Sequence, residues 1–216
     1  MDQTRSTLIL CLIACAEGDG APSPSHDAGI NLQELPFATE VVEFIPGAGS
    51  GFGQDRFPQT VLGPPKGYGT RRGSTDVLSL GHAGSITLGF SPRVIIDEPG
   101  PDFLVFENPF WVNDIPENVF AELGQVEVSE DGIEWHRYDC QQDDHPATNC
   151  AGYTPTHRFD FTEPLDHATC GGDAFDLADL GLERARFVRI TDLSLYGSAP
   201  SAGFDLDAVG LVHFSE

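Results

Sequence analysis

The chain has 216 residues, with 34 Asp or Glu against 11 Lys or Arg, and a formal net charge of −23 at pH 7. A surface this acidic repels nucleic acids and anionic lipid headgroups, so nucleic-acid binding is disfavoured. The length suffices for one sizeable domain, and 24 Gly, 16 Pro and 15 Phe predict many turns joining aromatic-rich strands. The composition therefore favours a single all-β domain.

The N-terminal segment has the pattern of a processing signal. Leu12-Ile13-Ala14-Cys15 matches a bacterial lipobox, in which a short apolar run and a small residue precede the cysteine that receives the lipid. The apolar run Leu8–Ala14 is too short to span a bilayer. An ordinary secretory signal cleaved elsewhere is the alternative. We predict a lipoprotein signal peptide over residues 1–14 and an exported protein, held at the cell surface or outer membrane through a lipid on Cys15.

A tether and one folded domain follow this signal. Residues 15–36 are rich in Gly, Pro, Ser and Asp, which predicts a flexible spacer. The domain is expected over residues 37–216. Residues 176–182 are expected to form a short helical turn. Apolar or alternating runs predict strands near 41–45, 77–80, 85–90, 103–106, 125–129, 133–138, 185–190 and 208–214.

The clearest local signal is a hairpin. Asp131-Gly132 stands between two alternating runs, and this dipeptide is typical of a tight turn because glycine tolerates positive φ. The alternation predicts that Val126, Val128, Ile133 and Trp135 share the buried face.

Two segments of this chain together resemble a known pattern. Val126–Trp135, followed by Ala185–Ile190, is similar to the discoidin pattern of the galactose-binding-like jelly roll. The chain also resembles a group of uncharacterised bacterial cell-surface proteins of this build. The matching segments are 51–55, 61–67, 101–103 with 106–110, 171–177 and 202–209. The resemblance implies a jelly-roll β-sandwich at the cell surface and brings no assigned activity.

Acidic side chains are placed where they could gather around a cation. Asp102 and Glu107 stand at the two ends of one predicted strand, and the spacing of Asp205 and Asp207 puts both on one strand face. Calcium needs six to eight oxygen ligands, which such strand ends and loops can supply. The alternative is that these acids cap turns and bind loop N–H groups. The candidate ligands for calcium are Asp102, Glu107, Asp173, Asp176, Asp205 and Asp207.

The cysteines point to an oxidising compartment. Cys140 and Cys150 are expected to form a disulfide that closes the loop between them, which leaves Cys170 unpaired, although pairings with Cys170 remain open. The alternative is zinc held by Cys140, His145, Cys150 and His157, at spacings that match no familiar zinc module.

Exposed aromatic side chains are the candidate ligand-binding residues. Trp111, Tyr68 and Tyr196 stand in predicted loops, where a ring face could cover the apolar side of a sugar; alternatively, Trp111 anchors its own loop. The sequence contains no nucleophile elbow, phosphate loop or H-E-x-x-H motif. We therefore predict a non-catalytic binding or structural module, with carbohydrate or another envelope or extracellular component as its partner. A secreted hydrolase acting on envelope or extracellular polysaccharide is the alternative.

Overall fold

The computed structural model describes residues 34–67, 69–157 and 165–216. The predicted signal peptide, most of the tether and Cys15 lie outside these residues. Within them the chain forms short strands joined by long loops, and a four-residue helix α1 (His167–Cys170). The strands are β1 (Glu40–Ile45), β2 (Leu78–Ser79), β3 (Ser85–Gly89), β4 (Val94–Ile96), β5 (Phe103–Phe106), β6 (Phe110–Trp111), β7 (Val119–Phe120), β8 (Gly124–Ser129), β9 (His136–Arg137), β10 (Asp173–Phe175), β11 (Arg184–Ala185), β12 (Phe187–Asp192), β13 (Asp205–Leu206), β14 (Ala208–Leu211) and β15 (Phe214–Ser215).

The largest sheet has five antiparallel strands in the order β1-β3-β12-β8-β9. Side chains along β12 alternate between buried and half-buried positions, because successive residues of a strand point to opposite faces. Val188 and Ile190 of β12 and Val126 and Val128 of β8 all lie on the buried face.

The sheet β10-β5-β14 packs against the five-stranded sheet, and the main core lies between them. Strand β5 is buried on both faces. Phe103 and Val105 belong to the main core, whereas Leu104 and Phe106 pack with Phe37 in a second cluster on the other face. This double burial explains why β5 is a continuous apolar run without alternation.

The remaining strands form the three-stranded sheet β11-β4-β15 and the pairs β13-β2 and β6-β7. All strand pairs described are antiparallel. The expected all-β sandwich is confirmed. The predicted helical turn is also present, as a 3₁₀ turn over Leu177–Leu180.

The hairpin prediction is correct in its pairing and wrong in its loop. Strands β8 and β9 pair antiparallel, but the connection between them runs from residue 130 to residue 135. Asp131 Oδ1 accepts hydrogen bonds from the backbone N–H groups of Ile133 and Glu134, which holds this wider turn. Ile133 is consequently 84% exposed and does not share the buried face. Trp135 does not belong to the core either: it is half-buried, with the Arg189 guanidinium 4.0 Å from the centre of its ring.

Strand β1 is an edge of the five-stranded sheet, because within the described chain it pairs only with β3. Its register shifts between Val41 and Glu43, which marks a bulge or irregularity. Glu40 and Glu43 are exposed on this edge.

Cys140 and Cys150 form a disulfide, as predicted, and Cys170 is a free, buried thiol. The zinc alternative is wrong, because both sulfurs that it needed are bonded to each other. Cys170 lies in α1 and packs in the second cluster around Phe106, so it is shielded from solvent.

Candidate metal centre

Three carboxylates meet where the residue after β5 approaches the first residue of β13. Glu107 directly follows β5, Glu122 precedes β8, and Asp205 begins β13. The backbone N–H of Asp205 donates a 3.3 Å hydrogen bond to Glu107 Oε1, which joins the first and last of these segments. One oxygen from each of the three side chains lies within 4.8 Å of the others. We call this group the acidic trio.

The trio is buried, with exposed fractions of 2% for Glu107, 6% for Glu122 and 7% for Asp205. Its hydrogen bonds come from neutral groups. Asp205 accepts from the hydroxyl of Ser79 and, at 3.4 Å, from Nδ2 of Asn108. Among the described residues, no lysine or arginine pairs with the trio. Three carboxylates therefore share a buried site with no compensating positive charge.

One oxygen of the trio is both buried from solvent and without a hydrogen-bond partner in the described chain. Glu107 Oε2 is inaccessible to solvent and, in the part of the chain that the structure describes, neither a donor nor an ion pair satisfies it. Glu122 is held more loosely than Asp205, since its Oε1 accepts a 3.4 Å hydrogen bond from Ser194 Oγ. A buried carboxylate oxygen without a donor is costly unless it binds a proton or a cation.

The electrostatics of the trio agree with this description. Burial raises the pKa of Glu107 well above its ordinary value, and the nearby charges of Asp205 and Glu122 raise it further. Burial and the charge of Asp205 raise the pKa of Glu122 to about 7. Burial also raises the pKa of Asp205 to about 6. The trio can thus retain protons near neutral pH, or give them up to a metal ion.

The donor set is that of a hard cation. All three ligands are carboxylate oxygens, and no His or Cys belongs to the group. Calcium binds oxygen at 2.3–2.6 Å, so oxygens up to about 5 Å apart can share one calcium ion. The trio fits calcium both in its oxygen ligands and in the distances between them. The other ligand positions around the ion would be open to backbone carbonyls and water.

A second acidic group contains Asp97, Asp102 and Asp176. Here the buried member is already satisfied. Asp102 accepts hydrogen bonds from the backbone N–H of Glu98 at 3.1 Å and of Leu177 at 2.8 Å, and lies 2.9 Å from His213 Nδ1. Asp97 is exposed. This group connects loops through hydrogen bonds. Because the oxygens of Asp102 already have donors, the group is a weaker candidate for a cation site than the trio.

Asp173 and Asp207 belong to neither group, within the described residues. Asp173 accepts backbone hydrogen bonds from Gly152, Tyr153 and Thr154 at 2.6–3.0 Å. Asp207 accepts from two successive backbone N–H groups, those of residues 66 and 67, at 3.1 and 3.0 Å. These two acids brace loops, as the alternative to calcium binding anticipated.

The structure thus divides the six predicted metal ligands into three pairs. Glu107 and Asp205 lie in the trio, Asp102 and Asp176 in the second group, and Asp173 and Asp207 in loop braces. Sequence reasoning missed Glu122. In the sequence, Glu122 is an acid between Ala121 and Leu123 just before a predicted strand. This arrangement is too common to indicate a metal ligand.

The three aromatic residues predicted to bind a ligand differ in their surroundings. Tyr196 is 63% exposed in the long loop between β12 and β13. Trp111 is half-buried in β6, and its backbone N–H donates to the carbonyl of Thr70 at 2.6 Å. Tyr68 lies outside the described residues.

Comparison with known proteins gives no match, either to a protein-family model or to a curated protein. Across residues 34–67, 69–157 and 165–216, no helix has the length and apolar character to cross a membrane.

Proposed function

We propose that this protein is an exported, lipid-anchored and non-catalytic binding or structural module of jelly-roll type, whose loops are held by calcium at the acidic trio. The observation that carries the proposal is the unpartnered Oε2 of Glu107 inside a buried, uncompensated group of three carboxylates. A cation there would offset the repulsion among the three and satisfy that oxygen.

Export is supported by covalent chemistry and by sequence. The Cys140–Cys150 disulfide is typical of proteins that fold in an oxidising compartment. The lipobox ending at Cys15 supports the cell surface or outer membrane as the destination. Carbohydrate or another envelope or extracellular component is the proposed partner, and the membrane is reached through the lipid only.

The burial of the trio argues against hydrolysis by these three carboxylates. Glycosidases place two carboxylates on either side of a scissile bond, so both must line an accessible cleft. Glu107, Glu122 and Asp205 are each less than a tenth exposed, which leaves no room for a polysaccharide between them. We therefore propose a structural role for the trio.

Calorimetric titration of the metal-free chain with calcium chloride tests the proposal. We expect one ion per chain, and at a hundredfold excess over Kd a rise in Tm of roughly 5–10 °C. Glu107→Gln keeps the shape and removes a charge, so it should bind calcium at least ten times more weakly. It should also be more stable than the wild type in chelator, because the folded state no longer has to bury a charge or hold a proton on this carboxyl group.

The matched control is Glu117→Gln, which removes an exposed carboxylate outside the trio and should leave the titration unchanged. If calcium gives neither heat nor a rise in Tm, the metal centre does not exist. The apo stability of Glu107→Gln separates loss of the site from loss of the fold.

Anchoring is tested on the full chain expressed in a bacterium that processes lipoproteins. Mass spectrometry of the membrane fraction is expected to find Cys15 as the N-terminal residue, carrying a diacylglyceryl thioether. Cys15→Ser should remove the lipid and release the protein from membranes. An unmodified N-terminus at another residue contradicts the lipid anchor.

A further inference from the structure

A surface groove lies next to the acidic trio. Its volume is about 450 Å³, and both neighbours of Glu122 in the chain, Ala121 and Leu123, line it. This volume is within the ordinary range of small-molecule sites. The side chains that matter for its chemistry are Asn118, Phe120, Gln142, His145, Tyr153 and Tyr196.

Two exposed aromatic rings form one wall of the groove. Phe120 is 38% exposed and Tyr196 is 63% exposed, and their ring centroids are 6.2 Å apart. Phe110 stacks behind Phe120 at 5.2 Å, in the small sheet β6-β7. This backing fixes the orientation of Phe120, so the apolar wall is formed before any ligand arrives.

Polar side chains with unused hydrogen-bonding capacity complete the lining. In the described parts of the chain, the side chains of Asn118, Gln142 and His145 make no hydrogen bond to protein, and all three are exposed. Amide groups both donate and accept, as hydroxyl groups do. Aromatic faces beside free amides match a molecule that has an apolar face and a rim of hydroxyls, which is the chemistry of a pyranose.

The charge around the groove selects among saccharides. Glu117 and Asp144 line it, and the whole chain carries a formal charge of −23. Uronic acids, sialic acids and sulfated sugars would meet negative charge from both sources. A neutral oligosaccharide is therefore the ligand that fits.

Hydrogen bonds connect the groove to the trio. Ser194 Oγ donates to Glu122 at 3.4 Å and accepts the backbone N–H of Tyr196 at 3.0 Å. Phe120 lies two residues before Glu122. The loop that carries Tyr196 is thus hydrogen-bonded to the Glu122 carboxylate, and Phe120 belongs to the same short segment as Glu122.

The geometry points to this groove as the binding site for a neutral oligosaccharide, which stacks on Tyr196 and Phe120 while calcium at the trio holds both aromatic residues in place. The inference rests on the proposed function for its calcium dependence. By linkage, a cation that favours the bound arrangement of these loops raises the affinity for sugar, and the sugar raises the affinity for calcium by the same factor.

The experiment uses the purified chain on an array of neutral and acidic glycans, with calcium and with chelator. The neutral glycan that gives the strongest signal is then titrated calorimetrically. Tyr196→Ala should weaken this binding at least tenfold, because it removes a stacking face. Leu195→Ala is the matched control: Leu195 is the adjacent residue, is 89% exposed and does not line the groove, so binding should be unchanged. Chelator should weaken sugar binding by about tenfold.

The outcomes separate the two proposals. Calcium binding without any glycan binding that depends on Tyr196 overturns the saccharide site and leaves the metal centre standing. Glycan binding that depends on Tyr196 but not on calcium supports the groove and contradicts the role of the trio. Preferential binding of acidic glycans overturns the assignment of a neutral ligand.

Discussion

Replacing Asp173 by alanine is expected to lower the free energy of unfolding by about 3–4 kcal/mol. Three backbone N–H groups, those of Gly152, Tyr153 and Thr154, would lose their acceptor, and each buried unsatisfied donor costs about 1–3 kcal/mol unless water replaces the bond. For a chain of this length the corresponding fall in Tm is roughly 10 °C. Thermal and urea denaturation followed by circular dichroism measure both quantities.

Two further variants make this measurement specific. Asp173→Asn keeps one acceptor oxygen, which can still receive two of the three N–H groups, so about a third of the loss is expected. Asp143→Ala removes an exposed carboxylate and should leave the stability within about 0.5 kcal/mol of the wild type. If Asp173→Ala behaves like Asp143→Ala, the loops at residues 152–154 do not depend on this brace.

In chelator, the stability of the protein is expected to fall as pH rises from 5 to 8. Burial raises the pKa of Asp173 and Asp205 to about 6, and of Glu122 and Asp207 to about 7, above ordinary values of 3.8 for Asp and 4.5 for Glu. The folded state therefore binds more protons than the unfolded state in this window. The stability that these four protonated carboxyl groups contribute is fully present below about pH 4, where general acid denaturation acts separately. This contribution is lost as the pH rises through 6–7.

Calcium should reduce this loss, because it binds the ionised form of the trio. We expect a decrease of several kcal/mol in chelator and a smaller one at millimolar calcium, where the part due to Asp173 and Asp207 remains because both lie outside the trio. Calcium affinity is expected to rise over the same pH range. Glu122→Gln removes one titrating group and should flatten the pH profile in chelator. Identical profiles with calcium and with chelator would show that the trio holds no ion. Stability is measured by urea denaturation at each pH.

The sequence predicted best those elements whose pattern is local. Strand β5 has the predicted bounds, because an apolar run that packs on both faces begins and ends where the polar residues Asp102 and Glu107 stand. Strand β8 differs from its prediction by one residue, since its alternation is also a local property. Ile133 was misplaced because the carboxylate of Asp131 widened the turn, and alternation alone does not reveal that hydrogen bond.

The sequence predicted which kind of side chain forms the candidate site, but it did not predict which of these side chains come together. Sequence reasoning selected acids beside strands, yet the partner of each acid is far away in the chain. Asp102 binds the N–H of a residue 75 positions later, and Asp207 binds one 140 positions earlier. Glu107 and Asp205 are 98 positions apart. Only the sheet topology decides which acids brace loops and which converge with Glu122.

Within the described chain, the edge position of β1 matters when many copies of the protein are close together. An exposed strand edge invites addition of a strand from a neighbouring molecule, and charged side chains and irregular register are the features that discourage it. This edge has both features: the charged side chains are Glu40 and Glu43, and the register shifts between Val41 and Glu43. Copies of the chain at high concentration can therefore remain separate instead of pairing edge to edge into a continuous ribbon.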